Sequence, residues 1–201
     1  MTQVAGVIAL VALAAVVASL GYLHLEPTGL SPVRNAVSQY GITTFRAGYR
    51  VATIAFGVAG TALAVGVDEA VSGDGRKAVV ALLVLFSIAR GAISWFPMDA
   101  PGADRTSTGQ THGLLALVAF ASATFAAFKL GNVLSHEARW RSLATVSSAF
   151  GWAMVACLLG IALARSLPQV RARFGAIERG FYLSAIAWFA VFAFACAANA
   201  R

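Results

Sequence analysis

The sequence predicts an all-α fold, a polytopic membrane bundle of six transmembrane helices with a long structured loop between helices 1 and 2. Of the 201 residues, 59% are apolar and 11% are charged, whereas about 25% of a soluble domain is charged. A spanning helix needs about 20 apolar residues, so six spans and their connections use the whole chain. We therefore predict a single six-helix domain over residues 1–201.

Six apolar stretches, separated by charged segments or by segments that contain glycine and proline, predict the individual spans. They cover residues 4–23, 48–67, 78–96, 113–134, 143–165 and 179–199. With six spans, the connections after helices 1, 3 and 5 all lie on one side of the membrane, which we call the odd-loop end. The connections after helices 2 and 4 are short and charged, and they predict simple turns.

The first connection of the odd-loop end, residues 24–46, contains two prolines and two glycines. Loops of this length without structure of their own are usually functional or disordered, and the apolar side chains in this one favour packing onto the bundle. Ser31 followed by Pro32 is a typical helix start, so we expect a short helix over residues 32–40 capped by Ser31. We interpret this connection as a lid at the membrane surface.

The net charge of +7 has two explanations: basic loops that fix the orientation of a membrane protein, and arginines that belong to a binding site at the odd-loop end. No basic run is interleaved with aromatic residues, so no nucleic-acid partner is expected. The 15 Lys and Arg residues divide into eight at the odd-loop end, six at the other end including Arg201, and Arg90 within helix 3. This weak excess favours cytoplasmic odd loops in a multi-pass membrane protein.

Titratable side chains converge at the odd-loop end from separate segments, which is typical of a site. His24 closes helix 1, Asp99 follows helix 3, His112 opens helix 4 and Glu178 opens the last helix. We predict Asp99 or Glu178 as a general acid, and His24 or His112 as a base or proton relay. Each also has an ordinary structural alternative: turn formation for Asp99, a favourable helix dipole for Glu178, and an interfacial position for the histidines.

Arg90 and Arg179 are the predicted contacts for an anionic head group or a carboxylate. Arg90 lies seven residues before Pro97, about 10 Å below the end of helix 3. A charge at that depth needs a partner unless it snorkels to the interface. For the aromatic candidates, core packing or lipid contact is the alternative. The remaining predicted substrate-binding residues are Ser38, Tyr40, Trp95, Phe96 and Trp188.

Motifs of cofactor and metal chemistry are missing from the sequence. There is no HExxH, no GxSxG and no glycine-rich phosphate loop. Cys157 and Cys196 lack the spacing of a metal site and are typical of small core residues. His24 and His112 have no short ligand spacing between them, so we predict neither a metal nor a cofactor.

Short motifs occur in a characteristic order at the helix ends. They are His24, Val37-Ser38-Gln39-Tyr40, Phe96-Pro97 with Asp99, Thr106 to Gly109 before His112, and Gly175 with Glu178-Arg179. The order resembles the bacterial integral membrane family called domain of unknown function 998, and the resemblance covers nearly the whole chain. It implies a six-helix, multi-pass protein of the bacterial cytoplasmic membrane, without an established activity. It also points to the polar positions His24, Ser38, Asp99, His112, Glu178 and Arg179.

The leading hypothesis is a membrane protein that binds an amphiphilic, lipid- or isoprenoid-like molecule at the odd-loop end. It would carry out acid–base chemistry there, as a hydrolase, isomerase or cyclase. The 13 Phe and 4 Trp residues offer contacts for the apolar part of the ligand. The alternative is a non-catalytic transporter subunit, lipid-binding protein or accessory membrane protein. Expected partners are membrane lipids and an amphiphilic small molecule; the oligomeric state stays open.

Overall fold

The computed structural model describes residues 2–198, and all regular structure over this range is helical. Six helices are long and apolar enough to cross a membrane, which confirms the six predicted spans and a multi-pass membrane protein. The predicted end of the last span, at residue 199, and Arg201 lie outside this range. The helices are α1 (Thr2–Leu25), α2 (Arg46–Ala70), α3 (Arg76–Ala92), α4 (Ser107–Ser135), α5 (Arg141–Leu163) and, after the four-residue helix α6 (Pro168–Arg171), α7 (Phe174–Ala198).

The six long helices form a closed ring. Each packs against the next one in sequence, and α7 closes the ring by packing on both α5 and α1. Glycines allow close approach at these interfaces: a Cβ on Gly6 would collide with the α7 backbone at Ala193 and Ala197, and one on Gly131 would press on the Ala144 carbonyl of α5. Small residues at helix interfaces are the usual means of tight packing in membranes.

Aromatic rings fill the centre of the bundle. Phe56, Phe86 and Phe189 contact one another with ring centroids 4.9–5.2 Å apart. Trp188 is fully buried beside them, and its Nε1–H donates to Ser147 Oγ at 2.9 Å. The indole therefore has its polar atom satisfied within the core, as buried tryptophans require.

Several helices begin earlier than the hydropathy pattern predicts. Thr106 caps α4, because its Oγ1 accepts the Gly109 N–H at 3.0 Å, so α4 begins at Ser107 rather than at 113. α7 begins at Phe174 rather than at 179. His112 and Glu178 consequently lie inside their helices and do not open them. The first turn of α4 is polar, and in α7 the charged pair Glu178-Arg179 follows a first turn that the hydropathy pattern assigns to the preceding connection.

The predicted helix over residues 32–40, capped by Ser31, is wrong. Ser31 closes a turn instead: its N–H donates to Asn35 Oδ1 at 2.8 Å, and its carbonyl accepts the N–H groups of Arg34 and Asn35. A 3-10 helix follows at Val37–Ile42. A continuous helix does not form because residues of α7 bind the backbone groups that such a helix would use. Glu178 accepts the Val37 N–H, and the Val33 carbonyl accepts the N–H of Ala176.

Candidate functional site

A cavity of about 620 Å³ opens at the odd-loop end, among α4, α5, the start of α7 and the α1–α2 connection. This volume is within the range of small-molecule sites, about 300–1,000 Å³. The apolar walls on α4 and α5 are formed by Ala116, Leu117, Phe120, Leu158, Ile161 and Ala162. Three exposed arginines, Arg34, Arg165 and Arg171, lie at its mouth. The less exposed polar side chains of its lining are Ser38, Gln39, His112 and Glu178.

Glu178 lines the cavity from the second turn of α7. It is 5% exposed, and its Oε2 accepts the Val37 N–H at 2.7 Å. The carboxyl group thus joins α7 to the α1–α2 connection. Oε2 is therefore used by a structural hydrogen bond. The other oxygen, Oε1, makes no hydrogen bond within residues 2–198.

His112 lines the cavity from α4 and is also 5% exposed. Its Nδ1 lies 2.7 Å from the Phe96 carbonyl oxygen. Because a carbonyl only accepts, Nδ1 carries the proton and Nε2 of the neutral ring has the free lone pair. Phe96, a predicted binding residue, therefore contributes its backbone carbonyl, which sets the orientation of the imidazole.

Arg179 lies beside the cavity and fastens the α1–α2 connection to α7. Its Nη1 donates to the carbonyls of Pro32 and Asn35 at 2.7 and 2.8 Å, and to Gly175 at 3.1 Å. Its Nη2 lies 3.3 Å from the Tyr40 hydroxyl. Acceptors within the protein thus use most of the guanidinium N–H donors, so Arg179 has a structural role in holding the connection to α7. We call these residues, together with His24, the Arg179 cluster.

His24 belongs to the Arg179 cluster and not to the cavity lining. Its Nδ1 donates to the Leu20 carbonyl at 2.6 Å, and its Nε2 accepts the Arg179 Nε–H at 2.8 Å. The ring also contacts the Tyr40 ring, with centroids 5.6 Å apart. Both ring nitrogens are in use, which leaves no lone pair for a proton relay in this arrangement.

Asp99 organises the start of α4 and does not line the cavity. Its two carboxylate oxygens accept the Thr106 Oγ1–H at 2.7 Å and the Thr106 N–H at 3.2 Å. A Cβ at Gly109 would collide with the same carboxylate, so this position needs glycine. Asp99 thereby holds the N-cap of the helix that carries His112.

Arg90 is buried in the bundle, 2% exposed, and does not snorkel to the interface. Its guanidinium carbon lies 5.7 Å from the Phe56 ring centroid and 5.2 Å from that of Tyr182. No carboxylate within residues 2–198 comes within 4 Å of it, and its Nε and the Ser94 hydroxyl are buried without hydrogen-bond partners there. Aromatic faces therefore take the place of the expected carboxylate.

The other predicted binding residues divide between the cavity and the rest of the bundle. Ser38 lines the cavity, and its hydroxyl donates to Met98 Sδ at 3.2 Å. Trp95 is 55% exposed under the Arg50 guanidinium, 5.3 Å from the ring centroid. Tyr40 lies in the Arg179 cluster and Trp188 in the core. The structure therefore brings together Glu178, His112 and Ser38.

The family model described as "Protein of unknown function (DUF998)" matches residues 7–195. The chain belongs to this family. The match confirms the resemblance seen at the helix ends and extends from the first spanning helix into the last one. No curated protein and no solved structure matches the chain. Membership of DUF998 brings no activity with it, so function has to be argued from the site itself.

In this DUF998 member, sequence reasoning missed three arginines at the mouth of the cavity. Arg34 lies in the α1–α2 connection, Arg165 follows α5, and Arg171 ends α6. In the sequence they belong to the eight basic residues of the odd-loop end, and they are not among the predicted substrate-binding residues. No local pattern distinguishes them from the other basic residues of that end, because they come from three separate segments.

The cavity of this family member is lined by both apolar and polar side chains. Glu178 and His112 supply a carboxyl and an imidazole for hydrogen bonding or proton exchange. Over residues 2–198, no group of three or more His, Cys, Asp or Glu side chains is arranged to hold a metal ion. The site thus combines apolar walls with two titratable side chains, Glu178 and His112.

Proposed function

We propose that this membrane protein binds one amphiphilic, lipid- or isoprenoid-like molecule in the cavity among α4, α5 and α7. The observation that carries the proposal is the division of the cavity into apolar walls and a polar mouth. The apolar chain would lie against Ala116, Phe120 and Leu158, and the polar group would lie beside Glu178 and His112. The setting that we propose is the bacterial cytoplasmic membrane, and the six membrane-spanning helices support a multi-pass protein there.

Access from the bilayer supports a membrane-derived ligand. Leu117, which lines the cavity, is 63% exposed, and Ala162 on α5 is exposed as well. The wall of the cavity is therefore continuous with the outer surface of α4 and α5, which a membrane would cover with lipid chains. A molecule whose chain is already in the bilayer could enter without leaving an apolar environment.

A pocket-filling substitution tests the proposal. Delipidated protein would be mixed with dioleoyl phosphatidylglycerol, and retention of one lipid per chain would be measured by native mass spectrometry. Ala116→Trp fills the cavity and is expected to abolish retention. Ala121→Trp, a half-buried alanine of α4 that does not line the cavity, is the matched control and should retain the lipid. Equal retention in both variants would exclude this cavity.

An acid–base reaction on the bound molecule is the second candidate, because Glu178 and His112 share one cavity. His24 and Asp99 have other hydrogen-bond partners, so the step would rest on the first pair. The test is incubation of the protein with a bacterial lipid extract, followed by lipid mass spectrometry. A new product that Glu178→Gln abolishes, while that variant still retains lipid, would support an enzyme. Lipid retention without any product would leave a binding protein.

A further inference from the structure

Three arginines surround the mouth of the cavity, and they come from three different segments of the chain. Arg34 belongs to the α1–α2 connection, Arg165 to the turn after α5, and Arg171 to α6. Among the residues that line the cavity, Glu178 is the one carboxylate. The formal charges of these side chains are therefore three positive against one negative, an imbalance that the protein does not neutralise locally.

Arg171 is fixed in place by the end of α5. Its Nε donates to the Ala164 carbonyl at 3.1 Å, and its Nη2 donates to the Arg165 carbonyl at 2.8 Å. The remaining nitrogen, Nη1, makes no hydrogen bond within the described part of the chain. A guanidinium held by two backbone acceptors is pre-oriented, so a ligand would gain a contact without first ordering that side chain.

Arg34 and Arg165 have all their guanidinium N–H donors available. Both side chains are exposed, and neither makes a hydrogen bond or an ion pair with any residue from 2 to 198. A guanidinium presents paired N–H donors that match the oxygens of a phosphate or a carboxylate. The unpaired groups thus face a cavity whose walls suit an apolar chain.

We propose that the cavity selects amphiphiles whose head group is a net anion, and that Arg34, Arg165 and Arg171 determine this specificity. The inference rests on the proposed lipid-binding function and adds the charge of the ligand to it. A phosphate without a compensating ammonium group fits best, because a zwitterionic head group would bring a positive charge toward three arginines. Glu178 lies deeper, where its Oε2 is held by the Val37 N–H.

The test compares head groups on the same acyl chains. Native mass spectrometry would measure retention of dioleoyl phosphatidylglycerol, dioleoyl phosphatidylcholine and oleate by the full-length protein. The critical variant is Arg34→Gln/Arg165→Gln, which preserves the bonds of Arg171 to the end of α5. Arg173→Gln is the control, since Arg173 is exposed at the same end and does not line the cavity.

We expect the wild type to prefer phosphatidylglycerol over phosphatidylcholine by about tenfold, the effect of two partly screened charge contacts of roughly three-fold each. The double variant should lose this preference, and the control should keep it. Strong oleate retention with the same arginine dependence would also support the proposal and identify a carboxylate as the head group.

Three results would overturn the inference. Retention of both phospholipids without preference would refute the head-group selection while leaving the proposed lipid binding intact. A preference that survives in the double variant, or that falls equally in Arg173→Gln, would show that general surface charge is responsible. Retention of no amphiphile at all would remove the proposed function and this inference with it.

Discussion

The hydrogen bonds of Arg179 determine how firmly the α1–α2 connection is held, and Arg179→Gln removes most of them. The two shortest join Nη1 to the carbonyls of Pro32 and Asn35, at 2.7 and 2.8 Å. Bonds from a charged donor contribute about 1.5–3 kcal/mol when buried, and the half-buried position reduces this to about 1 kcal/mol each. We expect docking of the connection to weaken by about 2 kcal/mol, roughly 30-fold in its opening equilibrium.

Hydrogen exchange followed by mass spectrometry, on protein in detergent micelles, measures this opening. The amides of residues 31–42, including the Val37 N–H bound by Glu178, should exchange about 30-fold faster in Arg179→Gln. Amides in the middle of α4 should not change. Arg173→Gln is the control, because that exposed side chain makes no hydrogen bond within residues 2–198. Unchanged exchange in Arg179→Gln, or equal acceleration in the control, would refute the role assigned to these bonds.

Three further substitutions separate packing from ligand binding. Gly175→Ala would place a Cβ against two backbone carbonyls of the α1–α2 connection. The resulting overpacking, about 1–3 kcal/mol, should speed hydrogen exchange of the amides in that connection. The control Gly21→Ala, whose Cβ meets no neighbour, should leave hydrogen exchange there unchanged. Trp188→Phe loses a buried hydrogen bond and some packing. Thermal denaturation should show that the free energy of unfolding falls by about 2 kcal/mol, while phosphatidylglycerol is still retained. Loss of lipid retention at unchanged stability would contradict the assignment of Trp188 to the core. Asp99→Ala removes the partner of Thr106 and should cost about 1 kcal/mol, seen as faster exchange at the start of α4 without loss of lipid.

The same residue types act differently depending on where the fold places them. His24 and His112 both lie at the odd-loop end and look equivalent in the sequence. His24 uses both ring nitrogens in the Arg179 cluster, while His112 has one nitrogen bound to the Phe96 carbonyl and lines the cavity. The hydrogen-bond partners, which come from distant segments, therefore decide which imidazole is available to a ligand.

The membrane fold was predictable because hydropathy is a local property of the chain. A stretch such as residues 4–23 has to be a spanning helix, since the bilayer leaves its backbone groups no other partners. Helix ends were less predictable. The polar first turn of α4 carries no hydropathy signal, and the charged pair Glu178-Arg179 interrupts the apolar pattern of α7 after its first turn. The Ser31 start signal failed because α7 binds the backbone groups that a local helix would have used.

By itself, the sequence determined the number of spans, the family and the end of the bundle where polar residues gather. Tertiary structure alone decided which of those residues share a cavity: Glu178, His112 and Ser38 do, while Asp99 caps α4 and Trp188 fills the core. It also brought Arg34, Arg165 and Arg171 to one mouth. The physical reason is that spans follow from the apolar content of single segments, whereas a cavity arises from the packing of several segments against one another.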